Sequence, residues 1–167
     1  MSDFVFEWLA SHAHKTPNAP CLGSPTTGWQ TYASVADAVL RCANALRQHG
    51  VVAQSHVLIS LPHVPAGVVA SLAVQSLGAT SVEIDRERNA ASLSDLVKLL
   101  DADVAFITGR DAQQWARVDK VRALIVVHPA PLPDKMKALL APREVTAMNE
   151  RGEIVANKAT SVDRPEA

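Results

Sequence analysis

Val57-Leu58-Ile59-Ser60-Leu61, then Pro62-His63-Val64-Pro65, then an apolar run to Leu77-Gly78, then Thr80-Ser81-Val82-Glu83-Ile84: this stretch decides the fold. Five residues with almost no polar interruption predict a strand buried on both faces. Pro65, whose missing N–H suits the first turn of a helix, and Gly78, which suits a helix end, frame a helix. Thr80 to Ile84 predicts a second strand. Two buried strands joined by a helix of this length form a parallel pair with a right-handed crossover.

Downstream the unit repeats. Ser92 and Asp95 predict the cap of a helix through Leu100, followed by a strand at Val104 to Thr108, a helix at Ala112 to Arg117 and a strand at Ala123 to Val127. Pro133 to Leu140 reads as a further helix and Val145 to Met148 as a strand, and Asn149 to Gly152 turns the chain into Glu153 to Val155. Upstream, Phe4, Val5, Trp8 and Leu9 keep helical spacing behind the candidate caps Ser2 and Asp3, giving a helix from Asp3 to Lys15. Ala19 to Gly23 and Trp29 to Tyr32 flank the turn formers of residues 24–28 and predict a hairpin. Ser34 and Asp37 predict a capping box for a helix whose buried face is Val35, Val39, Cys42 and Leu46, ending at His49-Gly50. The expected fold is therefore α/β: a mainly parallel sheet with helices on both faces, plus an N-terminal helix and hairpin. The expected organisation is one domain over residues 1–156, with a polar tail over 157–167.

Composition narrows the function. The chain has 167 residues, 16 Lys+Arg against 17 Asp+Glu and a net charge of -1, with no basic cluster, so nucleic acid is not an expected partner. The longest apolar stretch, Val64 to Leu77, is broken by Pro65, Gly67, Ser71, Gln75 and Ser76. It falls short of the roughly 20 apolar residues a membrane span needs. Without a basic start and apolar core of a signal peptide, and with Cys21 and Cys42 isolated rather than paired in a framework, the expected location is the cytoplasm.

The chemistry-bearing residues are sparse. The seven glycines are scattered, so neither GxGxxG nor GxxxxGK[ST] occurs and no phosphate cradle is expected. No serine sits in GxSxG or SxxK. His12 and His14, two apart, point about 200° away from each other on a helix and cannot share a metal. His49 and His56 read as structural or surface residues. His63 follows a parallel strand at its carboxyl end, where α/β proteins place ligands, and is the weak candidate for substrate binding. Glu83, Asp85 and Glu87 lie at a similar place, interleaved with Arg86 and Arg88, and are expected to form a solvated, self-paired loop. Neither catalytic, cofactor-binding nor metal residues are assigned.

Six segments, in order, resemble the N-terminal part of the adenylate-forming enzyme superfamily: acyl-CoA synthetases, fatty acyl-AMP ligases, peptide-synthetase adenylation domains and luciferases. They are Thr16-Pro17-Asn18-Ala19-Pro20, Trp29 to Val35, Ala43 to Leu46 with Gly50-Val51, Val57 to His63, Leu72 to Ala79, and Val97 to Asp103 continuing to Ile107-Thr108. The chain departs from the family at Gln54-Ser55, where Gly-Asp is usual, at Glu83, where Pro is usual, and at His63, where Asn is common. The resemblance implies a parent ligase that uses ATP and Mg2+ to convert a carboxylic acid to an acyl-adenylate and then transfers it to CoA or a carrier-protein thiol. It implies as partner the remainder of the adenylating domain, with the phosphate loop within about 20 residues after Ala167, following a strand. The fragment itself binds no cofactor on this reading, and its uncovered surface implies self-association. Two other readings stand beside it: a naturally short, non-catalytic interaction module derived from the same family, and a small-molecule binder of another doubly wound family with a pocket near His63 and Glu83.

Overall fold

The computed structural model describes residues 4–129 and 131–155. The chain begins with α1 (Phe4–Lys15), followed by the antiparallel hairpin β1 (Pro20–Ser24) and β2 (Gly28–Thr31), and α2 (Tyr32–Gln48). Then β3 (His56–Ile59), α3 (Pro65–Ser76), β4 (Thr80–Glu83), α4 (Ala90–Leu100) and β5 (Val104–Thr108) alternate. A 3-10 turn at Gly109–Asp111 leads to α5 (Ala112–Trp115), β6 (Ala123–Val127), α6 (Asp134–Leu140) and β7 (Glu144–Met148). The five later strands form one parallel sheet in the order β4-β3-β5-β6-β7. The expected class is the observed one.

Side-chain alternation divides the core. Val57, Ile59, Val104, Phe106, Ala123 and Ile125 face α2, α3 and Leu9 of α1, with the hairpin residues Cys21 and Leu22 packed at the margin. Leu58, Ala105, Ile107, Leu124 and Val126 face the opposite way, against Leu93 and Val97 of α4, Trp115 of α5 and Leu140 of α6. All five residues of β6 are buried. Strands this apolar need cover on both faces, and each fully buried large side chain contributes about 1.5–3 kcal/mol relative to exposure.

The predicted caps are displaced by one turn. The cap of α2 is Thr31, whose Oγ1 accepts from the Ser34 N–H at 3.2 Å. The cap of α4 is Asn89, whose Oδ1 accepts from the Ser92 N–H at 2.9 Å. Ser34 and Ser92 are thus the capped positions rather than the caps. A cap must keep an extended backbone, and Thr31 and Asn89 do, with ψ of 163° and 165°. Tyr32, expected to end the hairpin, instead begins α2. The Ser2 and Asp3 caps, the domain limit at residue 156 and the tail over 157–167 lie outside the described residues.

The return after β7 ties three elements together. Asn149 Oδ1 accepts from the Arg151 and Glu153 N–H groups, each at 3.0 Å, and Met148 bridges Ile154. The Glu150 carbonyl accepts from Ala66 N–H at the start of α3, where no side chain caps the helix. Buried Gln30 of β2 donates from Nε2 to the Arg151 carbonyl at 2.9 Å, and Arg151 Nη1 donates to the Thr27 carbonyl. At the centre Gly152 has φ +85°, and a Cβ there would lie 2.6 Å from Val69.

At the amino-terminal end of β7, buried His49 closes α2. Its Nδ1 is 2.8 Å from Glu144 Oε2 and its Nε2 2.7 Å from Thr146 Oγ1, while its carbonyl accepts from Arg122. His49 is therefore a structural tie between α2 and β7.

Candidate functional site at the carboxyl edge of the sheet

The strand order places the first parallel strand, β3, between its two successors β4 and β5, so the chain steps from β3 to one side and then crosses back over it to the other. The crevice above the carboxyl ends of β3 and β5 is the topological switch point, where open α/β sheets receive ligands. Two clefts meet there. The larger, about 1060 Å³, runs from the hairpin at Leu22 past Leu61 and His63 to Glu83, Asp85 and Glu87. The smaller, about 610 Å³, lies over β5 and β6 between Thr108, Arg110, Val127, Met136 and Glu150. Pro62, Val64 and Arg86 border both.

His63 is exposed in the β3–α3 loop and lines the larger cleft. Glu83, Asp85 and Glu87 share that wall, so the structure does bring His63 and the carboxylates to one cavity. The expected self-pairing of the loop is corrected. Arg86 Nε donates to Asp111 Oδ2 at 3.1 Å and Nη2 to Thr108 Oγ1 at 3.3 Å, and Thr108 Oγ1 donates to the same Asp111 oxygen at 3.0 Å. Arg86 follows β4, whereas Thr108 ends β5 and Asp111 follows it, so the guanidinium passes over the carboxyl end of β3. The physical reason is burial: Asp111 is only 17% exposed and its charge needs a close partner, whereas the loop carboxylates are solvated. Within the loop, Asp85 Oδ1 accepts the Glu87 N–H and so organises the backbone rather than a salt bridge.

Sequence reading missed Thr108, Arg110, Asp111 and Glu150 as cleft residues. The strand-end rule that selected His63 also covers Thr108 to Asp111 after β5, and applying it to every strand finds them. Glu150 follows β7 at the same edge. Gly109 is required there, because a Cβ would lie 2.6 Å from the His128 ring and 3.1 Å from Met136. Among the described residues no group of three or more His, Cys, Asp or Glu side chains is placed to hold a metal ion. The larger cleft has a carboxylate rim, and the smaller has one glycine, already packed by side chains. Arg86 and Arg110 stand at the smaller cleft without a cradle of clustered backbone N–H groups, so these residues do not fit a nucleoside triphosphate.

A parallel five-strand sheet, wound in both directions from β3, with a helix and hairpin ahead of it and clefts at its carboxyl edge, defines a doubly wound α/β protein. The sequence profile of the family described as AMP-binding enzyme matches residues 9–163, and the chain belongs to that family. The fold is that of the N-terminal subdomain of acyl-CoA ligases. The benzoate CoA ligase from Burkholderia xenovorans LB400 superposes with a TM-score of 0.68 at 21% identity, covering 95% of this chain and 31% of that one. The acetoacetyl-CoA synthetase from Streptomyces lividans gives 0.65 at 25% identity, covering 83% and 25%. The N-terminal domain of FACL13 from Mycobacterium tuberculosis gives 0.67 at 18% identity, covering 92% and 37%. The chain thus spans about a third or less of the length of the first two ligases. No curated protein sequence matches it significantly. No helix among the described residues is long and apolar enough to cross a membrane.

Proposed function

We propose that this chain acts as the amino-terminal wall of a larger ATP-dependent ligase that activates a carboxylic acid as its acyl-adenylate, of the acyl-CoA synthetase or acyl-AMP ligase type. The carrying observation is the family match along residues 9–163, on a sheet that superposes on the N-terminal parts of CoA ligases. On this reading the chain supplies a rigid scaffold whose carboxyl edge faces the remainder of the adenylating domain, and the parent works in the cytoplasm. ATP and Mg2+, the carboxylic acid and the CoA or carrier-protein thiol belong to the parent's later segments. No catalytic role is given to a residue of this chain; His63 is proposed as a contact to substrate or to the neighbouring part of the domain, because it lines the larger cleft.

The reading frame of the native gene tests the proposal. It should continue past Ala167, within about 20 residues, into a short apolar strand and a Ser/Thr/Gly-rich loop carrying a lysine. A stop codon at that point, or a continuation without such a loop, overturns the ligase reading and leaves the family-derived interaction module in its place.

A further inference from the structure

The Arg86 bridge leaves half of its guanidinium unused. Nε and one N–H of Nη2 are taken by Asp111 and Thr108. The end-on edge, formed by Nη1 and the second N–H of Nη2, has no hydrogen-bond partner among the described residues. An arginine held along one edge and bare along the other is a preorganised fork for a carboxylate or phosphate, since fixing it costs no further side-chain entropy. Arg86 borders the smaller cleft, and that cleft brings a second guanidinium: Arg110 is exposed there and makes no ion pair with any described residue. Val64, Val127 and Met136 provide apolar wall beside the two cations, and about 610 Å³ is the size of a small-molecule site. His128 and Glu150 also line it. The three uncompensated carboxylates, Glu83, Asp85 and Glu87, line the other cleft.

We propose that the smaller cleft, between the ends of β5 and β6, binds a small organic oxyanion with a short apolar tail, gripped by the free edge of Arg86 and by Arg110. The site needs neither adenylation nor any later segment of a ligase, so it stands or falls apart from the preceding reading.

Binding to the full 167-residue chain is measured by calorimetry and by saturation-transfer NMR with four probes: hexanoate, phenyl phosphate, hexylamine and hexanol. Hexanoate, phenyl phosphate or both should bind, and the better of the two identifies the headgroup; hexylamine and hexanol should not. Arg86→Lys keeps the charge for Asp111 but loses the fork, and should weaken the oxyanion roughly tenfold. Arg110→Gln removes an exposed side chain without a partner among the described residues, so the chain should keep its circular dichroism and melting profile while binding falls several-fold. Failure of both anions to bind, equal binding of hexanoate and hexanol, or anion binding unchanged in both variants overturns the proposal.

Discussion

Gly152 shows how much can rest on one missing side chain. Its φ of +85° lies in the left-handed region, and a Cβ would sit 2.6 Å from two carbons of Val69 on α3. Gly152→Ala should therefore combine backbone strain with overpacking and cost on the order of 2–4 kcal/mol, read as a fall in the urea midpoint with the sheet's circular dichroism retained. Cys42 makes a pH argument. Burial on α2 pushes its thiol up from 9.0 to about 12. As pH rises past 9 the unfolded chain loses this proton before the folded one, so the thiol's contribution is whole below pH 9 and is lost as pH climbs towards 12. Cys21, partly buried, shifts in the same direction. Urea midpoints between pH 7.5 and 10.5 should fall more steeply in the native chain than in Cys42→Ala, and Cys42 should resist alkylation until the chain unfolds.

Helix entry separates two kinds of polar residue. Thr31 and Asn89 use their side chains as caps, whereas Ser34 and Ser92 offer only backbone N–H groups to them. Thr31→Ala and Asn89→Ala should each lower stability by about 1 kcal/mol, and Ser34→Ala and Ser92→Ala should stay within about 0.5 kcal/mol, in thermal or urea melts. The elements themselves were legible because their signals are local: Val57 to Leu61 and Ala123 to Val127 are apolar without pause, and Pro65 and Gly78 bracket α3. Cap identity was not, because two polar residues three apart both satisfy the pattern and only the backbone dihedral distinguishes them. Arg86 was misread for a different reason. Its partner, Asp111, becomes a neighbour only once β4 and β5 lie on either side of β3, and strand order is not written in residue spacing. The position of His63 beside a cleft was legible because the end of a parallel strand is a property of the chain; the second cleft depends on β5, β6, α6 and the turn after β7 arriving together.

At the level of the whole molecule, the scaffold reading has a direct consequence for activity. Neither cleft presents a glycine-rich loop of clustered backbone N–H groups, so the 167-residue chain incubated with ATP, Mg2+ and a panel of fatty, aromatic and amino acids should release no pyrophosphate above background. Release in proportion to chain concentration would require reacting groups that the sheet edge does not show. The chain alone should also self-associate. β4 borders the sheet with no further strand paired to it among the described residues, and Trp29 and Leu99 are 73% and 80% exposed. Light scattering should show mass rising with concentration, and a hydrophobic dye should bind; a clean monomer over a wide range would favour the interaction module.

The knot after β7 also carries a timetable. Gln30 waits for the carbonyl of Arg151, 121 positions later, and Thr27 for its guanidinium, 124 positions later. On a ribosome the hairpin emerges more than a hundred residues ahead of Arg151, so its last bonds form only after β7 has been made. Until then Val69 lacks the glycine that packs on it, and Ala66 lacks its acceptor. Closure of the sheet layer onto the hairpin is a late, non-local event, of the kind that slows folding and prolongs the exposure of apolar surface. A nascent chain halted before Arg151 should accordingly leave the hairpin open to proteases, while one carried past Val155 should not.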